Sequence, residues 1–435
     1  MVAVGAVALG LVGAAVMPAS ATAPRAGEKP TATDVGVTAT EIHIGVIADV
    51  DNAIVPGVFQ PVVDGVNGAV KVINKGGGIA GRKLVVDFLD SKLNPNDARN
   101  GIITACSQDF ALVGTAALFM GNIDDMISCK DVKGAATGLP DFGAVITNPV
   151  QACAPIEFPI LPNQVLCSTL DQDPRTYQGY TGASKYLLKK YGKLHGAFIA
   201  PSDTKDAYQA SYVLGLAVQK AGVASDAEYA VSARAPQSAY TPIVAKMKQD
   251  GSNFGYGAAS AAGGVQLRSE AQLQGLDPKT VWLCNSGCYS KQFTDGGSAV
   301  DGEYINLPFL PVEDAKSFKP MATFVQAVGA DKVQSFALYG YGATLAFQAA
   351  LEAAVKKGGV NNVTRASLLE GAKSSLTAFN AQGLFGTEDL VKKIDSSCFA
   401  LIQINGGKWK RVEPTKAGTF NCSPKNYTTL QHSFK

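Results

Sequence analysis

Apolar positions along the chain recur at two periods, and the periods alternate. Ile42 to Ala48 alternates in a β-rich run and predicts a buried first strand. A polar loop, Asp49 to Asn52, follows. Phe59, Val62, Val63, Val66, Val70 and Ile73 then recur at helical spacing, and Gly76-Gly77-Gly78 stops that helix. Leu84 to Leu89 predicts a second strand. Pro95 opens a helix with Ala98, Ile102 and Ile103 on one face, and Ala111 to Val113 predicts a third strand ending at Gly114. Strand, helix, strand, helix, strand implies a parallel sheet with right-handed crossovers.

The alternation then restarts. Helices are predicted over Tyr180 to Tyr191, Ala207 to Ala221, Pro242 to Lys248 and Val265 to Leu273. Strands are predicted over Ala197 to Ala200, Ala227 to Val231, Phe254 to Gly257 and Val281 to Leu283. Two more helices, Phe318 to Val328 and Ala337 to Lys357, precede a hairpin, Phe399 to Ile404 with Trp409 to Val412, turning at Gly406-Gly407. The polar stretch from Thr415 to Lys435 reads as loop. The fold class expected is α/β, with two units of parallel sheet flanked by helices.

Composition narrows the function. The chain has 435 residues, 46% apolar and 17% charged, with 38 Lys plus Arg against 36 Asp plus Glu. That balance excludes a nucleic-acid binder working through a basic face, and it excludes disorder. Residues from Val2 to Met17 are apolar or Gly, and Ala19-Ser20-Ala21 and Ala21-Thr22-Ala23 are small-x-small cleavage patterns. Residues 1–23 therefore read as a signal peptide and 24–40, rich in Ala, Thr, Pro and Gly, as a flexible tether. The expectation is an exported protein, periplasmic, cell-envelope or extracellular. The first Cys is Cys106, so no lipid-bearing Cys is expected beside the signal. The eight Cys fit an oxidising compartment. Of the 105 connectivities that eight Cys allow, neighbour pairing is the simplest: Cys106–Cys129, Cys153–Cys167, Cys284–Cys288 and Cys398–Cys422. Cys284 and Cys288 have no second close Cys pair and no nearby His, which speaks against zinc.

Catalytic sets are missing from the sequence. There is no G-x-S-x-G, no G-x-x-x-x-G-K-[ST] and no H-E-x-x-H, and Gly255-x-Gly257-x-x-Ser260 lacks the third Gly of a dinucleotide loop. His43, His195 and His432 are not placed beside a nucleophile. The chain is expected not to be an enzyme and to need no cofactor or metal.

One stretch is specific. Ile73-Asn74-Lys75-Gly76-Gly77-Gly78-Ile79-Ala80-Gly81-Arg82-Lys83-Leu84 resembles the helix-to-strand joint of periplasmic binding proteins of the branched-chain amino acid type. Asp90 with Asn94-Pro95 and Ala98, Ala111-Leu112-Val113-Gly114, Tyr240-Thr241-Pro242-Ile243-Val244 and Gln274-Gly275-Leu276 resemble later joints of that family. The resemblance implies two Rossmann-like lobes joined by a three-crossing hinge, near Thr169 to Tyr177, near Leu307 to Val312 and between Gly383 and Cys398. It assigns 41–170 and 312–385 to an N-terminal lobe, and 171–311 and 386–435 to a C-terminal lobe and tail. It implies a monomer that binds a small-molecule ligand in the interlobe cleft and delivers it to an ABC permease. A ligand-sensing receptor component of the same fold, and an amino-acid binder with a rearranged site, are the alternatives.

The same resemblance places ligand contacts at strand ends. Candidates are Asp51 and Asn52, then Thr115, Ala116, Leu118 and Phe119, then Pro140 and Asp141, then Tyr208, Ala259 and Ser260, and finally Asn285, Ser286 and Tyr289. Each has a plainer reading. Asp51 and Asn52 fit a helix cap, Leu118 and Phe119 fit packing beneath their loop, and Tyr208 fits a surface aromatic. Tyr339 and Tyr341 read as core. The family's ligand hydroxyls are replaced by Leu118 and Phe119, and no acid follows the strand at Val281. An ammonium without a carboxylate loses charge-assisted binding. The expected ligand is therefore a less polar or aromatic acid or amide, not a free α-amino acid.

Overall fold

The computed structural model describes residues 28–257 and 260–434. The expected signal segment lies outside them, as do residues 24–27 and Ala259. The first sheet is built from β1 (Glu41–Ala48), β2 (Lys83–Asp90), β3 (Ala111–Val113) and β4 (Asp141–Phe142), parallel in the order β2-β1-β3-β4. Between them run α1 (Gln60–Lys75), α2 (Pro95–Gln108) and the single turn α3 (Asp124–Ile127). The turn α4 (Pro149–Ala152) follows β4. Alternation sorts β1 to two faces: Ile42, Ile44 and Val46 join the α1 side, and Ile47 packs with Ala98 and Ile102 of α2.

The chain then crosses to a second, larger sheet through β5 (Arg175–Tyr180), which α5 (Gly182–Tyr191) follows. That sheet takes β6 (His195–Pro201), β7 (Ala224–Val231), β8 (Phe254–Gly257), β9 (Val281–Cys284) and β10 (Tyr304–Leu307), all parallel in the order β10-β9-β8-β6-β7. Its helices are α6 (Lys205–Lys220), α7 (Thr241–Asp250), α8 (Ala261–Leu273) and the turn α9 (Lys291–Thr294). Leu307 to Leu310 leads back to the first lobe, where α10 (Lys319–Val328), α11 (Ser335–Gly358) and α12 (Arg365–Ser375) complete the core. The chain returns once more: Leu310 N–H donates to Leu384 O at 2.8 Å and Gly386 N–H to Pro308 O at 3.1 Å, so two crossings lie side by side. β11 (Cys398–Asn405) pairs antiparallel with β10, and β12 (Lys408–Glu413) and β13 (Asn421–Cys422) pair with β11. The eight cysteines are bonded as neighbours, 106 to 129, 153 to 167, 284 to 288 and 398 to 422.

Two sequence expectations need correction. Residues 28–40 are not a loose tether. Arg82 is fully buried, and its guanidinium needs acceptors; it takes Thr31 O at 2.7 Å, Thr38 O at 2.8 Å and Val360 O at 2.8 Å. Thr33 Oγ1 donates to Val363 O, and Val37 is buried in the core. The tail is not a loop either. β14 (Tyr427–His432) pairs antiparallel with β5, and Phe434 packs on Tyr177 and Tyr212. The alternation Tyr427, Thr429, Gln431 is too polar to announce a strand.

Candidate functional site

Parallel strands aim their C-terminal ends, and the loops after them, at one edge of each sheet. Here the two edges face each other across a cleft of about 450 Å³. On the first lobe its wall is apolar: Ile54, Val55, Val58 and Phe59 from the loop entering α1, with Leu118, Val145, Leu161 and Phe336. Phe59 and Phe336 meet edge to face at 5.2 Å.

Asp49 organises this wall. It is fully buried just past β1 and accepts from Ser91 Oγ at 2.6 Å, Leu93 N–H at 2.8 Å and Leu118 N–H at 2.8 Å, so one carboxylate ties the loops after three strands. Burial raises its pKa against the lowering effect of those hydrogen bonds. The loop after β3 therefore has little left to offer a ligand. Leu118 N–H is spent on Asp49, Ala116 N–H on Ile47 O, and the Thr115 hydroxyl on Asp141 Oδ1 at 2.7 Å.

The second lobe supplies the polar groups. Thr204 caps α6 through Ala207 N–H, and Ser260 caps α8 through Gly263 N–H, so both helix N-termini open on the cleft. Asn285 and Ser286 line it inside the Cys284–Cys288 loop, and Ser286 Oγ meets the Tyr339 hydroxyl of the first lobe at 2.8 Å. Asp203 also lines the cleft, but Ser232 Oγ at 2.6 Å and Ala233 N–H at 2.7 Å already occupy its oxygens. The cleft then continues into the second lobe between α5, α6 and the sheet, past Ala183, Leu214, Val218, Tyr256 and Leu283. Four of these five belong to the buried core of that lobe, and Leu214 packs against it.

The hinge closes the cleft below. Gln164, Tyr180 and Asn306 line it, and among the described residues Gln164 Oε1 and Asn306 Oδ1 are buried without a donor. Behind Tyr180 lie the buried Asp395, which the Tyr180 hydroxyl faces, and the buried Glu388, whose carboxylate oxygens have no donor among the described residues. Burial pushes Asp395 up to about 7. Burial first, and then the Asp395 charge, pushes Glu388 well above the usual carboxylate range.

Of the sequence candidates, Leu118, Ser260, Asn285 and Ser286 line the cleft together. The others do not. Asp51 is exposed, and its N–H donates to Asp90 Oδ2. Asn52 braces its own loop through Ile54 and Val55 N–H. Thr115, Ala116, Pro140 and Asp141 are buried within the first lobe; Asp141 faces Glu157, and burial pushes it up to about 6. Phe119 sits beside Leu118 but outside the cleft lining. Tyr208 stacks near Tyr212 and Phe434 on the outer face of α6. Tyr289 is buried behind the wall, its hydroxyl donating to Glu313 at 2.6 Å. Tyr341 is core as expected, whereas Tyr339 is both core and cleft wall.

A sequence profile described as periplasmic binding protein matches residues 41–408. Solved structures share the fold at low identity. A substrate-binding protein of an ABC transporter from Aeropyrum pernix aligns with a TM-score of 0.68 at 15% identity, over 89% of this chain and 97% of its own. The fatty acid ABC transporter substrate-binding protein of Thermomonospora curvata gives 0.66 at 16% identity, over 91% and 96%. The branched-chain amino acid transporter substrate-binding protein of Streptococcus pneumoniae, solved with isoleucine, gives 0.64 at 15% identity, over 86% and 100%. No curated protein matches the chain in sequence.

Proposed function

The chain belongs to the periplasmic binding protein family, and from that premise we propose that it is an extracytoplasmic receptor for an amphipathic carboxylic acid or amide with a long apolar tail, which it passes to an ABC-type permease. The solved relatives include one titled for fatty acid and one holding isoleucine, so the fold does not choose between such ligands. The cleft supports the choice. Its apolar branch runs past Leu214, Val218, Tyr256 and Leu283 and suits an extended apolar chain. The loop after β3 offers neither a free Thr115 hydroxyl nor its amides at 116 and 118, and each Asp203 oxygen already accepts one hydrogen bond, which weakens the grip on a free amino acid. The N-termini of α6 and α8 suit a carboxylate or carbonyl head. In this reading the lobes close about the hinge, bury the tail and present a closed surface to the permease.

The test is thermal unfolding of ligand-free protein with fatty acids of increasing length, aromatic acids, their amides and the free amino acids. A ligand at about 100 times its dissociation constant adds roughly 2.7 kcal/mol, enough to move the midpoint. A rise that grows with tail length is expected. A rise with amino acids alone sinks the assignment.

A further inference from the structure

Away from the cleft, His43, Asp87 and Asp109 come together in the first lobe. His43 lies on β1, Asp87 lies opposite Gly45 on β2, and Asp109 ends α2 just before β3. One ligand atom from each lies within 4.8 Å of the other two, and His43 Nδ1 shares a 2.7 Å hydrogen bond with Asp87 Oδ2, whose proton a bound ion would release to water. Among the described residues this is the one such group of three.

Asp109 is 1% exposed, and among the described residues no N–H or hydroxyl donates to its carboxylate, whose neighbour is the Asp87 carboxyl group. A buried carboxylate with no donor is costly, and the C-terminal end of a helix disfavours an anion further. Arg365 is nearby, but its Nη2 donates to the backbone carbonyls of Asp109 at 2.6 Å and Cys106 at 2.9 Å. The space for the carboxylate comes from Gly45, where a Cβ would lie 2.7 Å from Asp109 Oδ2. On the outer side of the imidazole, Glu41 Oε2 stands 3.8 Å from His43 Nε2, an electrostatic neighbour beyond hydrogen-bond distance. His43 and Asp87 are half-buried, so water reaches the cluster from one direction.

An imidazole and two carboxylates with an open side form a donor set for a borderline divalent cation. We propose that His43, Asp87 and Asp109 bind a zinc-class divalent ion, with water completing its coordination. The ion would neutralise the two carboxylates and pin β1, β2 and the α2–β3 turn together. The site lies towards the N-terminal ends of the strands, so its role is structural and separate from the cleft. The competing state holds a proton instead: burial and the Asp87 carboxylate push Asp109 up to about 8.

The full chain, stripped with a chelator, is titrated with ZnCl₂, MnCl₂ and CaCl₂ by calorimetry, and thermal unfolding is followed in parallel. One equivalent of Zn²⁺ and a raised midpoint are expected. Asp87→Asn and His43→Gln, both at half-buried positions, should weaken binding roughly tenfold or more. His195→Gln removes the separate His195–Asp226 pair and should leave it unchanged. Circular dichroism checks that the variants fold, and either variant alone suffices. No saturable binding at about 0.1 mM metal, or wild-type affinity in both variants, overturns the proposal.

Discussion

Phe336 is only partly buried, yet it forms the cleft wall with Phe59. Phe336→Ala should therefore weaken binding of a long-chain acid by about tenfold or more while leaving the fold intact; calorimetry at unchanged melting temperature checks this. Asp395 predicts a pH dependence. Its folded pKa lies near 7 against an ordinary 3.8, so between those values the folded chain holds a proton that the unfolded chain has released. Its contribution is full below about pH 4, falls as pH rises, and is lost above about 7. Glu388 acts in the same direction. Urea unfolding should show greater stability at pH 5.5 than at pH 8, and Asp395→Asn should flatten that slope. An unchanged slope would show that Asp395 titrates normally.

At the level of elements, α1 and α11 cross with their backbones almost touching. A Cβ on Gly65 would lie 2.0 Å from Ala337 O, and one on Gly340 would lie 2.1 Å from Val62 O. Gly65→Val should cost about 3 kcal/mol or prevent folding, read from urea midpoints, whereas Gly121→Val, at an exposed site where a Cβ meets only Asn148 Nδ2 at 3.9 Å, should cost far less. This crossing also shows why some of the molecule was legible and some was not. The period in α1 runs over its whole length, and β1 to β3 alternate or sit in short apolar runs, so their order was readable from residues alone. β10 and α12 gave no such run, and β5 and β14 are polar strands defined by each other. The site followed the same rule. Ser260, Asn285 and Ser286 were found because they follow strand ends. Tyr180, Leu214 and Tyr256 line the cleft only through tertiary packing. Ile54 to Val58 carried a usable signal, since five apolar, Pro or Gly residues between the polar loop and the predicted helix are unusual on a surface that faces only water.

On the scale of the whole molecule, polar bonds span the lobes at several points: Ser286 to Tyr339, Asn148 Nδ2 to Asp206 Oδ2 at 2.9 Å, Ser335 N–H to Tyr289 O at 3.2 Å, the Tyr289 hydroxyl to Glu313 at 2.6 Å, and the buried Arg411–Asp314 ion pair. Solution scattering should show a smaller radius of gyration with a saturating long-chain acid, and an unchanged curve would count against closure as the binding step. The lacing of the two ends has a further consequence, for the order in which the chain matures. β5 waits for β14, β10 waits for β11, and the α1 side of the first sheet is only partly covered until α11 arrives. A nascent chain made at about 5–20 residues per second cannot complete the first lobe until α12 has emerged, nor the second until β14 has. The four cysteine pairs are each separated by 24 residues or fewer. Covalent links within the chain can thus form early, while the long-range pairings that finish both lobes come last, and the polypeptide stays threadable for most of its synthesis.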